Sequence, residues 1–501
     1  MQTRSPNRLA AAIIALATLV VCPPLLLSAD ILGQVRSFSL KNGLRLLVAE
    51  RSLSPTVSVF IRYRAGATDE RDGKTGTAHL LEHMMFKGTK TIGTRDYSRE
   101  APILKRIEAT GAAIDRETRK GDGADLAILA RLRRQLADLQ ERHRRLFVPN
   151  ELDRLYTEQG SVGLNASTGQ DLITYRVSIP ANRIELWARI EADRMVSPVF
   201  REFYTERDVV REERRQRAES DPDGKLLEGF LAAAYSVHPY RRPILGWPAD
   251  MEYLDPRYMR QFFMRTHVPN NAVIAMAGDI RPTDAFTIVN RYFGSIPAAT
   301  LPPAPAVAAE PVPAYERRIE VVYAAEPRLI IGYRKPPPPA PVNQIFDIVE
   351  SLLTRGRTSR LFRTLVEEQG LADRIHAVNG VPGVRYQNQF ALFAAPRFPH
   401  TCGELEQAID AEIDRLKHEP VAPRELEKIK NQIRVNFLRG LDSNAGLAGT
   451  ISYYQALLGD YRYMLNYVDT INRITPDDIM QVVRTYLVRE NRTVATLVKK
   501  P

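Results

Sequence analysis

Three residues in the stretch TAHLLEHMMFKGT (77–89) have the types and spacing for metal chemistry: His79, Glu82 and His83. On a helix, positions i and i+4 share a face, and so do i and i+3. The two imidazoles can therefore meet on one metal ion, with Glu82 beside both. Zinc lowers the pKa of a bound water, and a neighbouring carboxylate accepts the proton and passes it to a leaving amine. The order H-x-x-E-H, the inverse of H-E-x-x-H, is among the zinc peptidase signatures. Leu80, Leu81, Met84, Met85 and Phe86 call for a buried helix. Three ionisable groups on a buried helix must be compensated, which favours a metal over three idle polar side chains.

Catalytic zinc takes three protein ligands and keeps one position open. The only cysteines are Cys22 and Cys402, so the third ligand must be His, Asp or Glu. Glu206 and Glu213, in ERDVVREE, are seven residues apart and share a helix face. Facing a two-histidine site, one would be a ligand and the other a group that orients it. The same alternation of charges also suits a solvated helix laced with ion pairs, and spacing leaves both readings open.

These groups need elements to hold them. SFSLKNGLRLLVAE (37–50) reads as two short strands about a Lys-Asn-Gly turn, and TVSVFIRYRAG (56–66) as a third. The histidine stretch then falls on a helix over 75–87. Residues 97–146 are polar and helical, broken at Gly121-Asp122-Gly123, which predicts a helical hairpin. VGLNASTGQDLITYRVSIP (162–180) returns to strand alternation, and 181–195 and 201–220 predict two further helices.

AATLPPAPAVAAEPVPAYE (298–316) is a Pro/Ala-rich linker between two halves of similar length. The halves repeat. Pro256/Pro476, Gln261/Gln481 and Asn271/Asn491 keep one constant offset, each pair in a Pro-led helix followed by a β-branched strand. YRAGATDE…TAHLLEHM has a counterpart in YRKPPPPAPVNQIFDIVESLL, which lacks the histidines. The expected fold is α+β. Two homologous halves would each be a mainly antiparallel sheet covered by helices on one face. The expected divisions are a zinc-bearing domain over 30–297, with a hairpin insertion at about 97–150, the linker over 298–316, and a metal-free domain over 317–501.

Hydrophobic residues make up 44% of the 501 and charged residues 26%, which describes a folded chain. The net charge of +11 is dispersed among both signs, with no basic block interleaved with aromatics. That argues against nucleic-acid binding. Arg4 and Arg8, the apolar run LAAAIIALATLVV and the small residues near Ser28–Ala29 read as a signal peptide over 1–29. The expected location is periplasmic or extracellular, with lipidation at Cys22 or an uncleaved anchor as the alternatives.

HLLEHMMFKGT, GLNASTGQDLITY, ERDVVREE and HPYRRPILGW together resemble the insulinase/pitrilysin family of inverted zinc metallopeptidases. The likeness is to the bacterial branch related to mitochondrial processing peptidase, and it spans roughly 35–500. The resemblance implies one zinc per chain on His79, His83 and Glu213, with Glu82 as base and Glu206 as a supporting catalytic carboxylate. It implies that Asn165 and Ala166, on an edge strand, pair with the backbone of an extended substrate. It implies a structural role for His238.

Two departures stand out. The hairpin lengthens the separation of His83 from Glu213. Val366 and Asp373, in SRLFRTLVEEQGLADRI, stand where active relatives often place an Arg and a Tyr that hold substrate and oxyanion. The expected function is an exported zinc endopeptidase acting on peptides or unfolded segments. Its partner would be a zinc-less paralogue supplying that pair, or a second copy of the chain. The competing class is a non-catalytic peptide-binding or scaffold subunit.

Overall fold

Alternating apolar residues and a Gly43 turn in the left-handed region start the first sheet. The computed structural model describes residues 35–300, 310–311 and 315–499, so the expected signal peptide, Cys22 and most of the linker lie outside it. The strands of the first half are β1 (Val35–Ser39), β2 (Arg45–Glu50), β3 (Thr56–Tyr63), β4 (Val162–Thr168), β5 (Ile173–Pro180) and β6 (Ala272–Gly278). They lie in the order β1-β2-β6-β3-β5-β4, antiparallel except for β2 beside β6.

The second sheet holds β7 (Arg317–Tyr323), β8 (Arg328–Lys335), β9 (Ala372–Val381), β10 (Asn388–Pro396) and β11 (Arg492–Lys499). Its order is β7-β11-β8-β10-β9, with only β7 and β11 parallel. This is the first order without its β1. The repeat extends to single hydrogen bonds. Asn271 Nδ2 donates to the carbonyls of Arg64 and Thr266, and Asn491 Nδ2 donates to those of Arg334 and Tyr486.

Helices of the first half used below are α1 (Thr77–Met84), α2 (Tyr97–Thr118), α3 (Leu126–Arg144), α4 (Phe203–Arg214) and α5 (Pro222–Ala234). In the second half they are α6 (Val342–Thr354) and α7 (Asn444–Leu458). Each sheet carries a helical layer on one face. Leu46, Val48, Val59 and Ile61 pack there with Leu80, Leu81 and Met84 of α1, and Ile331 and Val494 pack with Phe346, Val349 and Leu353 of α6.

The opposite faces are also buried, each by a helix lent from the other half. Leu47, Phe60, Val273 and Ala275 of the first sheet pack with Leu447, Ala448 and Ile451 of α7. Ile330, Ala391, Ala495 and Leu497 of the second pack with Leu226, Phe230 and Ala234 of α5. The expectation of helices on one face therefore needs extending. Strands buried on both sides read as continuous apolar runs, as AVIAMAG (272–278) does. Gly332 accommodates the exchange, because a Cβ there would meet the Phe230 ring at 2.3 Å. Each large side chain so buried contributes roughly 1.5–3 kcal/mol.

α2 and α3 lie on either side of the turn at Gly121–Gly123, with Asp96 and Asp125 capping the two helices by accepting from backbone N–H groups. The pair is anchored by buried charge. Glu100 accepts from Arg201 Nε at 2.7 Å and lies 2.6 Å from His143 Nε2, while Asp115 accepts from Arg207 of α4. The loop after β9 joins the halves. Arg385 donates to both Asp69 oxygens at 2.9 and 3.0 Å, and Asp171 Oδ2 accepts from the N–H of Val384 at 2.7 Å.

Candidate metal centre

α1 begins where the chain turns through Gly76 at φ 87°, and a Cβ there would meet Met251 Sδ at 2.2 Å. Its exposed N–H groups are capped from outside the helix. Buried Glu70 accepts from Gly76 N at 2.9 Å and Ala78 N at 2.6 Å. His79 is buried, and Glu82 and His83 are partly so. Their rings and carboxylate leave the apolar face of α1 at the side where α4 crosses it.

The paired-carboxylate reading and the solvated-helix reading of α4 turn out to describe its two faces. On the outer face Arg211 pairs with Asp208 at 3.2 Å and Arg215 with Glu212 at 2.6 Å. On the inner face Glu206 and Glu213 meet α1. Glu213 Oε1 is 3.7 Å from His79 Nε2, and its Oε2 is 3.5 Å from His83 Nε2. Donor atoms of His79, His83 and Glu213 all lie within 4.8 Å of one another. Zinc bonds of about 2.0–2.2 Å place two ligands of one ion roughly 3–4 Å apart, so this donor set fits a zinc ion.

Glu206 stands outside that triangle. Its Oε2 is 3.4 Å from His83 Nδ1, and its Oε1 is 2.5 Å from Lys87 Nζ. Accepting from Nδ1–H fixes the tautomer that leaves His83 Nε2 as a lone pair for metal. Burial pushes Glu206 up, but the hydrogen bonds with His83 and Lys87 bring its carboxyl below the usual range. Burial, with His83 and Arg217 nearby, lowers His79 to about 3, so its imidazole is neutral. His79 Nδ1 is buried and has no partner among the described residues, so no hydrogen bond at that nitrogen orients the ring. Arg217 reaches Glu213 Oε1 at 2.9 Å from a mostly exposed position.

Glu82 is not part of the donor triangle. Its Oε2 accepts from Thr168 Oγ1 at 2.5 Å, and burial foremost raises its carboxyl despite that bond. Thr168 ends β4, the outer strand of the sheet. Asn165 and Ala166 lie on this same edge strand, and Asn165 Oδ1 accepts from the N–H of Ala166 at 2.7 Å. A groove of about 670 Å³ between α3 and α4, lined by Leu136 and Val209, runs up to Glu213.

Thr168, Lys87 and Glu70 were not singled out from sequence. Lys87 carried a signal, being four residues after His83 in the helix expected over 75–87, although α1 ends at Met84. Thr168 and Glu70 carried none, because Thr168 reaches Glu82 across 86 residues and Glu70 caps α1 from the turn before it at no regular spacing. The other first-half histidines are structural. His143 holds the hairpin, His238 Nδ1 accepts from Tyr240 N at 3.0 Å, and His267 is buried against Tyr63 and Tyr175. Val366 packs on the second core, and Asp373 pairs with Arg397 at 2.9 Å.

Two like halves, with a His/His/Glu cluster in the first among the described residues, describe a duplicated α+β fold that carries a metal-type site in one copy. Residues 46–118 match the family model described as Insulinase (Peptidase family M16), and residues 254–433 match the one described as Peptidase M16 inactive domain. The chain belongs to this insulinase, or M16, family of peptidases. It is 25% identical over 458 residues to the zinc protease PqqE of Helicobacter pylori, covering 90% of this chain and 89% of that one. A solved protease from Helicobacter pylori matches with a TM-score of 0.78 at 24% identity, covering 93% and 99%. The periplasmic protease PqqL from Escherichia coli matches at 0.68 and 16% identity, covering 93% of this chain and 47% of that one.

Proposed function

We propose that the chain is an exported, zinc-dependent endopeptidase that cleaves peptides or unfolded polypeptide segments. The observation that carries this is the convergence of His79, His83 and Glu213 beside Glu82, at the end of an open edge strand. His79 Nε2, His83 Nε2 and Glu213 would hold one zinc ion, which supplies Lewis-acid activation of water and of the scissile carbonyl. Glu206, through His83 Nδ1, keeps the second ligand ring in register. Thr168 holds Glu82 Oε2 and leaves Oε1 to take a proton from the attacking water and deliver it to the departing nitrogen. The edge of β4 at Asn165 and Ala166 lays an extended substrate across the site by backbone pairing. The basic and apolar N-terminus supports export, as does the likeness to a protein described as periplasmic.

Val366 and Asp373 favour a second component. A zinc-less paralogue, or a second copy of this chain, would supply the substrate-holding Arg and Tyr. The same two residues, with the match of the second half to an inactive domain, support the other reading, a peptide-binding subunit without turnover. Metal analysis and peptide cleavage on the wild type and Glu82→Gln separate the two. The expected result is about one zinc per chain in both. Cleavage should fall by on the order of 10²–10⁴-fold in the variant. Undiminished cleavage without Glu82 would overturn the mechanism, and a metal-binding wild type that cleaves nothing, alone or with the paralogue, would establish the second reading. Full cleavage by the purified chain alone would remove the need for the paralogue.

A further inference from the structure

The second half keeps a polar cavity on the helix that corresponds to α1. DIVESLLTRG (347–356) aligns without a gap with HLLEHMMFKG (79–88), so Asp347 stands at the place of His79, Glu350 at that of Glu82 and Ser351 at that of His83. Asp347 lines a cavity of about 140 Å³ between α6, the ends of β8 and β9, and α7 with the turn after it. Asn379 of β9 bridges the two acids, its Nδ2 donating to Asp347 Oδ1 at 2.8 Å and its N–H to Glu350 Oε2 at 3.0 Å.

Lys335 and Asp347 carry opposite charges into this cavity without touching each other. Lys335 is 1% exposed, yet the acceptor recorded for its ammonium is a neutral one, Asn343 Oδ1 at 2.6 Å. Asp347 accepts from neutral donors, Asn379 and Tyr467, the latter at 2.8 Å. Both charges line one cavity, but no ion pair joins them among the described residues. Asn379 Oδ1 is buried and has no partner there either. Opposite buried charges that do not touch compensate each other only through space, so a small molecule that bears both signs is complementary to the cavity. Four tyrosines, Tyr453, Tyr454, Tyr463 and Tyr467, line the same space. Aromatic rings beside a carboxylate suit an organic ammonium.

We propose that this cavity binds a small zwitterion of the α-amino-acid class. Its carboxylate meets Lys335 Nζ, and its ammonium meets Asp347 and Asn379 Oδ1 within the tyrosine walls. A cavity of about 140 Å³ suits an occupant the size of a free amino acid rather than a peptide. The site lies in the half without metal ligands, and the proposal stands apart from the peptidase reading.

Calorimetric titration of the full chain with glycine, L-alanine, L-serine and L-leucine tests it, with acetate and ethylammonium as single-charge controls. Saturable binding of at least one amino acid is expected, with a rise in melting temperature. Neither control should bind at the same concentration. Lys335→Met and Asp347→Asn should each weaken the affinity about tenfold or more, as loss of one charge-assisted contact does. Tyr454→Leu should weaken it as well, and serves if either charge variant fails to fold. Glu82→Gln should bind as the wild type does. No binding by any amino acid, binding of acetate or ethylammonium as tight as that of the amino acids, or full affinity in the folded cavity variants would overturn the proposal.

Discussion

Glu206 touches none of the proposed zinc ligands through a lone pair a metal could use. It touches His83 on the far side of the ring, and Lys87 occupies its other oxygen. Its contribution should therefore appear in metal affinity rather than in stoichiometry. Glu206→Gln should still bind about one zinc but roughly 10–100-fold more weakly, measured by competition with a chelator of known affinity. Unchanged affinity would mean that packing alone fixes the His83 ring. Spacing paired Glu206 with Glu213 but did not distinguish ligand from orienter. That distinction rests on which carboxylate reaches the Nε2 side of both rings, a matter of how α4 crosses α1.

The hairpin is held to the rest of the first half by several carboxylates, of which Glu100 is the most enclosed. Glu100 is fully buried between His143 and Arg201. Burial alone would raise its carboxyl, but the bonds to His143 and Arg201 prevail and hold it at about 2, below its ordinary 4.5. A carboxyl whose folded pKa is depressed stabilises the fold above its unfolded pKa, and the contribution is lost as pH falls through the folded value. Glu100→Gln should cost about 3–5 kcal/mol at neutral pH, as breaking a buried ion pair does. The gap from wild type should close as pH falls from 4.5 towards 2. Denaturant melts of both proteins across pH measure it, and a gap independent of pH would count against the assignment. The hairpin itself was legible, because helix periodicity and a Gly-Asp-Gly break are local. Its docking was not, since Glu100 looks like any other charge on a polar helix.

At the scale of the molecule, the exchanged helices pack each half against the sheet of the other. Phe230 belongs to the first half in sequence but fills the second sheet against Gly332. Phe230→Ala should cost about 3–5 kcal/mol. Its loss of amide hydrogen-exchange protection should concentrate on β8 and β11 rather than on the first sheet. Loss confined to the first sheet would refute the exchange. The duplication was readable from Pro256/Pro476 and Asn271/Asn491, whose matched hydrogen bonds now explain the spacing. The exchange was not, because an apolar helix face declares that it must be buried and says nothing of which sheet buries it.

Sequence by itself determined the features that depend on neighbours along the chain. Helical periodicity put His79, Glu82 and His83 on adjoining positions of one helix, and strand alternation and the repeat defined two like α+β halves. Tertiary structure decided whatever joins distant segments. It brought Glu213 across 130 residues to the histidines, set Thr168 on Glu82, and sent α5 and α7 to each other's sheets. The physical reason is that a carboxylate's role follows from what stands within a few ångströms of it. Periodicity reports only the face on which it lies.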